Sequence, residues 1–282
     1  MVSSLFVAIL VSSPLLSPPQ PVNGAEVRGS ISATLTRAAG SDGPALAAQV
    51  ARLIRWRGDV IRDVHPRDTI SLTWERDEQG EPQLTALSYR GAAITLEAHR
   101  FADSEGVERF YDPDGLLVEP MLKNHPVPGY RQITEDVQSG RGRRTHNGLD
   151  LKADEGTPIY LPYDAVVYRV NWLTHVNGNC VEVKYRKSGV LARFLHLHTV
   201  ANLMKPGQTI PAGTELGTVG NTGRSSAAHL HYELRTSSGD VLRPVEVHGT
   251  TQSMVAPAQS AAFRARVERN RRVLNKGQLV SL

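Results

Sequence analysis

The chain has 282 residues, 40% of them hydrophobic, and a formal net charge of +4. That length and apolar content can fill one large core or two modest ones, and the 21% charged and 6% aromatic fractions argue against a disordered chain. No apolar run reaches the roughly 18 to 20 residues that a spanning helix needs, so a membrane bundle is excluded as well.

Met1 to Gly24 carries no charged side chain, has an apolar run from Leu5 to Val11 and ends in a Pro-rich stretch, Pro14 to Pro21. This reads as a secretory signal cleaved after Val22-Asn23-Gly24, where small residues stand at the positions a signal peptidase reads. The alternatives are a disordered tail or a misplaced start codon, because no Lys or Arg stands among the first residues. No cysteine lies near the cleavage point, which argues against a lipid anchor. Export places the chain in the periplasm or cell envelope, where a single thiol, Cys180, leaves packing and metal rather than disulfides to stabilise the fold. Cys180 is assigned to a strand core, since its neighbours arrange no base for it.

Further along, Leu46, Val50, Leu53 and Ile54 recur at i, i+4, i+7 and i+8, which predicts an amphipathic helix starting near Pro44. Three β-patterned runs follow, Thr69 to Trp74, Leu84 to Tyr89 and Ala92 to Phe101, and a Pro113-Asp114-Gly115 turn closes this unit. Residues 25–115 are therefore expected to form a small α+β domain with a candidate regulatory role. Residues 116–140 read as an irregular connector broken by Pro120, Pro126, Pro128 and Gly129. From 141 to 248 nearly everything reads as strand and turn: Ile159 to Val170, Val181 to Tyr185, Val190 to Leu197, then closely spaced hairpins marked by Pro206-Gly207, Pro211, Gly213, Gly217, Gly220 and Gly223. The fold class is mainly β, an antiparallel sheet domain behind a small α+β domain. Residues 256–282 carry six basic side chains against Glu268, so this tail holds +5 and the rest of the chain −1. Basic character confined to a tail, expected as a short solvated helix within 249–282, gives no groove for nucleic acid.

The chemistry is in the histidines. Five of ten fall in three short pieces of the β domain: His146-Asn-Gly-Leu-Asp150, His196-Leu-His198 and His229-Leu-His231. Gly148 argues against a helix between His146 and Asp150, so a turn must bring them together. His229 and His231, at i and i+2 in a strand, point to one face. Two imidazoles and one carboxylate with an open fourth position make a hydrolytic zinc site.

These pieces match a known signature. His146-x-Gly-x-Asp150, Phe194-x-His196-Leu197 and His229-Leu-His231-Tyr-Glu233, with Gly156-Thr-Pro158-Ile159 and Asp164-Ala-Val-Val167 between them, resemble the lysostaphin/LytM-type zinc peptidases over roughly 130–248. Val27-Arg-Gly-Ser-Ile-Ser, Trp56, Pro66-Arg-Asp68 and Tyr111-Asp-Pro-Asp-Gly115 are similar to the domain that precedes the catalytic one in Gram-negative envelope endopeptidases. The resemblance implies a zinc-dependent hydrolase of peptidoglycan acting on D-alanyl–diaminopimelate cross-links, with one Zn2+ on His146, Asp150 and His231 and with His196 and His229 flanking the reacting water. It implies a monomer whose partner is peptidoglycan, and a regulatory envelope protein as a further candidate partner. Three departures stand out: the stretch Ser139-Gly-Arg-Gly-Arg143 is short, Ala227-Ala228 replaces the usual residue pair before the last motif, and His198 is additional. The alternative class is a non-catalytic module of the same type that activates a cell-wall amidase. A structural wall-binding protein would fit the basic tail but leave the histidines unexplained.

Overall fold

The computed structural model describes residues 19–137 and 146–275, which divide into two compact units, one of residues 19–99 with 265–275 and one of residues 100–137 with 146–264. Most of the expected signal, residues 1–18, and the short stretch 139–143 lie outside the described residues.

In the first unit, β1 (Gln20–Glu26) pairs antiparallel with β2 (Thr69–Arg76), which pairs with β3 (Pro82–Arg90), which pairs with β4 (Thr95–Ala102). Val22 lies opposite Leu72 and is buried. The expected boundary at Gly24 therefore cuts through a paired strand, and it is corrected here: residues 20–24 belong to the sheet. Helix α1 (Ile31–Ala39) was not legible from periodicity; Ser30 caps it by accepting from the Ala33 N–H at 3.0 Å. Helix α2 (Gly43–Ile54) buries Leu46, Val50, Leu53 and Ile54, the four residues whose spacing announced it.

The C-terminal helix α4 (Ser260–Leu274) joins this unit from Ala265 onward and is not a solvated tail. Val267 and Leu274 are buried, the Arg271 guanidinium grips Glu97 at 2.7 Å, and Asn270 meets His99 at 3.1 Å. A charge count identifies the basic face of a helix but not the narrow apolar stripe beneath it, which explains the miss.

In the second unit the expected connector is part of the fold. A short strand β5 (Glu108–Tyr111) precedes β6 (Met121–Leu122) and β7 (Gln132–Glu135), and β7 forms the edge of the main sheet beside β8 (Leu149–Lys152). The run 159–170, read as one strand, is two: β9 (Pro158–Tyr160) and β10 (Ala165–Val170), split by Leu161 to Asp164 and assigned to different sheets. After helix α3 (Thr174–Asn177) come β11 (Asn179–Tyr185), β12 (Leu191–Leu197), β13 (Thr199–Val200), β14 (Thr209–Ile210), β15 (Glu215–Thr218) and β16 (His229–Arg235). The main sheet runs β14-β10-β11-β12-β16-β8-β7, with β17 (Val241–Leu242) on the end of β16, and β13-β15-β9 make a second, smaller sheet. Every pairing of the main sheet is antiparallel. One face of it is apolar and fully buried, with Phe194 opposite Tyr232 and with Val181, Val183, Leu149 and Leu151 around them. The other face carries the polar residues, as alternation along each strand requires. Cys180 is buried in β11 and burial pushes its thiol up, in keeping with a core role. Among the described residues no helix is long and apolar enough to cross a membrane.

Candidate metal centre

Regular pairing builds half of the site. β8 and β16 place Asp150 directly opposite His231, so both side chains project from the polar face. The contact is close: His231 Nδ1 lies 2.7 Å from Asp150 Oδ1, and His146 Nε2 lies 3.1 Å from His231 Nδ1 and 3.2 Å from Asp150 Oδ1. Gly148 makes room for this approach, since a Cβ there would stand 2.7 Å from His231 Nε2 and 2.8 Å from the Tyr232 carbonyl oxygen.

Irregular backbone builds the other half. Leu195 is the β12 residue opposite His231, so simple alternation would send His196 to the core with Phe194. Instead the β11–β12 register slips between Asn179 and Val181, with one extra residue on β12, and His196 adopts φ 65°. A bulge with a left-handed, non-glycine residue re-aims a side chain at a local conformational cost. The His196 ring thereby comes to 5.1 Å from that of His229 and 5.9 Å from that of His231.

Hydrogen bonds at the far side of His146, His196 and His229 fix which nitrogen is free. A carbonyl or carboxylate oxygen only accepts, so the nitrogen facing it carries the proton. His146 Nδ1–H donates to the Asp136 carbonyl at 3.2 Å, His196 Nδ1–H to the Thr222 carbonyl at 2.9 Å, His229 Nδ1–H to the Ala227 carbonyl at 2.7 Å, and His231 Nε2–H to Glu233 Oε1 at 3.2 Å. That leaves Nε2 of His146, His196 and His229; in His231 both nitrogens face carboxylates, and Nδ1, 2.7 Å from Asp150 Oδ1, offers a lone pair only where an ion takes that proton's place. Two triplets with ligand atoms mutually within 4.8 Å result, His146–Asp150–His231 and His196–His229–His231.

The first triplet fits a cation. In the neutral imidazoles the His146 Nε2 and His231 Nδ1 lone pairs would face each other and a carboxylate across about 3 Å, a repulsive arrangement that a positive charge resolves. Its electrostatics say the same. Burial opposes charge on all three groups, yet the mutual hydrogen bonds and charges win: Asp150 is held well below the usual carboxylate range, His146 is raised, and His231 is raised to about 9. A site that draws protons onto two imidazoles draws a divalent ion by the same field. His196 differs: burial, reinforced by His229 and His231, pushes it down to about 4, so it is a neutral base near pH 7.

All five expected site residues are thus brought together. His198 is not: it is half exposed and pairs with Glu155 at 2.7 Å, outside both triplets. The departure at Ala227-Ala228 is harmless to His229, because the backbone carbonyl of Ala227 makes the contact. Sequence reasoning missed Thr222. Its hydroxyl donates to the Leu197 carbonyl at 2.7 Å and accepts from the Asn179 N–H at 3.0 Å, pinning the carbonyl that orients His196. The signal for it is glycine: Gly178 and Gly223, both at positive φ, approach Thr222 and each other so closely that a Cβ on either would stand 2.2 Å from its neighbour. Asp136 and Glu233 complete the outer ring, with Arg243 holding Asp136 at 2.6 Å.

Residues 144–244, which contain every one of these histidines, match peptidase family M23. The chain is 30% identical over 228 residues to the peptidoglycan DD-endopeptidase ShyA of Vibrio cholerae, covering 76% of this chain and 50% of that one. It is 32% identical over 126 residues to the DD-carboxypeptidase/endopeptidase Mpg of Neisseria meningitidis, covering 45% of this chain and 28% of the relative. Csd3 of Helicobacter pylori aligns with 92% of this chain and 69% of its own at 21% identity and a TM-score of 0.41. The chain spans about half the length of ShyA and less of Mpg. The match in residues 144–244 and the histidine–aspartate cluster within it agree: this chain carries a domain of peptidase family M23.

Proposed function

We propose that the protein is an exported, zinc-dependent peptidoglycan endopeptidase of the cell envelope that hydrolyses D-alanyl–diaminopimelate cross-links of murein. The observation that carries the reading is the convergence of His146, Asp150 and His231 beside two further histidines whose Nδ1 protons are already committed. Zinc suits two imidazoles and a carboxylate, and the relatives named for DD-endopeptidase activity favour this bond. His146 Nε2, Asp150 Oδ1 and His231 Nδ1 would hold the ion. The chemistry a bound zinc supplies is activation of water at neutral pH and polarisation of the scissile carbonyl.

The rest belongs to the chain's own side chains. His196 is neutral near pH 7, and its Nε2 is the free nitrogen, so it is suited to take a proton from the attacking water. His229 Nε2 lies 3.7 Å from Asp150 Oδ1, beside the same space, placed to face the developing oxyanion. Tying Nδ1 to a carbonyl in both rings keeps the reactive nitrogen aimed without a search over tautomers.

Digestion of purified murein sacculi by the full chain, with and without a chelator, tests the reading. Dimeric muropeptides should fall and monomers rise only without chelator. Muropeptides unchanged in both arms would sink the enzyme and leave a binding module that activates an amidase.

A further inference from the structure

Beside the proposed metal ligands, a row of charges crosses four strands on the same face of the sheet. Arg169 on β10 stands opposite Glu182 on β11, Glu182 opposite Arg193 on β12, and Arg193 opposite Glu233 on β16. Each neighbour is bonded to the next: Arg169 Nε to Glu182 Oε2 at 2.6 Å, Arg193 Nε to Glu182 Oε1 at 2.5 Å, and Arg193 Nη1 to Glu233 Oε2 at 3.1 Å. Arg235 Nε adds a second contact to Glu233 Oε2 at 2.9 Å. Surface ion pairs contribute little, but the carboxylates of this row are buried, the Glu182 side chain 1% exposed and that of Glu233 9%. A buried ion pair is weak evidence of a stability device, because replacing it with apolar residues is often no worse. The row ends in a way that gives it another use. With Oε2 of Glu233 taken by two guanidinium groups, the remaining oxygen, Oε1, faces His231 Nε2 at 3.2 Å.

We propose that Arg193 is a positioning residue for the metal site: anchored by Glu182, it fixes the Glu233 carboxylate so that Oε1 accepts a hydrogen bond from His231 Nε2–H and Nδ1 is kept for the ion. The inference rests on the zinc reading above. The planar guanidinium is what the geometry requires, since one group must reach two carboxylates from two different nitrogens in a fixed fork. Lysine brings the charge but only a single point. Partners hydrogen-bonded to a ligating histidine set its orientation, and their loss costs roughly 10–100-fold in metal affinity.

The test is zinc affinity of the full chain, measured by competition with a chelating indicator, alongside thermal unfolding of the metal-free protein. Glu233→Leu should weaken zinc binding by roughly 10–100-fold and Arg193→Met by about 10-fold. Arg193→Lys should fall between Arg193→Met and the unsubstituted chain, while Arg169→Gln, at the far end of the row, should leave affinity unchanged. Unchanged affinity in Arg193→Met, with only a lower unfolding temperature, would make the row purely structural and overturn the inference. If Arg193→Met does not fold, Arg193→Lys decides: weaker binding supports the inference and unchanged binding overturns it. Failure of the unsubstituted chain to bind zinc would overturn the reading beneath it instead.

Discussion

The two halves of the site are built in opposite ways. Asp150 and His231 come from adjacent strands in plain antiparallel register, and nothing in their backbone is unusual. His196 comes from a bulged strand at a positive φ, oriented by a carbonyl in a loop where two glycines and a threonine crowd together. Regular pairing is cooperative and tolerates little drift, which suits atoms that must hold an ion to within a few tenths of an ångström. The bulged half stores local strain, and strained backbone persists where the surroundings over-determine it. On the proposed reading, two of the three metal ligands, Asp150 and His231, rest on the regular part of the sheet and the proton-handling His196 on the part that needed special construction.

Breaking each half should give different losses. His146→Ala should abolish zinc binding and activity together, as read by metal content and sacculus digestion. His229→Ala should keep zinc yet lose roughly 10²–10⁴-fold in hydrolysis, the usual contribution of a positioned acid–base group. Loss of zinc from His229→Ala would instead favour the triplet His196–His229–His231 as the ligand set.

A glycine pair separates the halves more gently. Gly148→Ala drives a methyl group into His231 and the Tyr232 carbonyl, so it should weaken zinc binding by roughly 10–100-fold, as loss of ligand orientation does. Gly223→Ala forces a residue at φ +70° against Gly178, so it should destabilise the fold by about 1–3 kcal/mol and depress hydrolysis while zinc affinity holds. Equal loss of zinc affinity in both variants would show that the two halves are not independent.

A last prediction concerns acid and leaves both halves of the site intact. His248, buried under the sheet, accepts from the Tyr232 hydroxyl at 3.0 Å and stacks on Tyr163; burial, then the charge of His125, pushes it from 6.5 down to about 4. The unfolded chain therefore takes up this proton first. The contribution is fully present above about pH 6.5 and is lost as pH falls towards about 4, up to ~3 kcal/mol in all. Urea unfolding from pH 7 to pH 4 should show this slope, and His248→Phe should flatten it. An unchanged slope in the variant would assign the acid sensitivity to the metal-site histidines.

Identity and spacing in the sequence determined the ligand candidates, because His-x-Gly-x-Asp and His-x-His pair residue types whose chemistry is specific, and because i and i+2 in a strand must share a face. Periodicity likewise found α2 and three strands of the first unit, β2 to β4, but not β1, whose residues read as the end of a secretory signal. Alternation alone, however, assigns His196 to the core; only the bulge, formed because β12 carries one residue more than β11 opposite it, brings its ring to the metal side. Tertiary structure also decided which nitrogen of His146, His196 and His229 is free, since Asp136, Thr222 and Ala227 act through backbone carbonyls that no residue pattern encodes. It turned the apparent connector into a sheet edge and the basic tail into a docked helix, because a strand of four residues and a stripe of two apolar side chains gain their meaning only from the partner they bury against. Sequence named the donors; the fold chose the lone pairs.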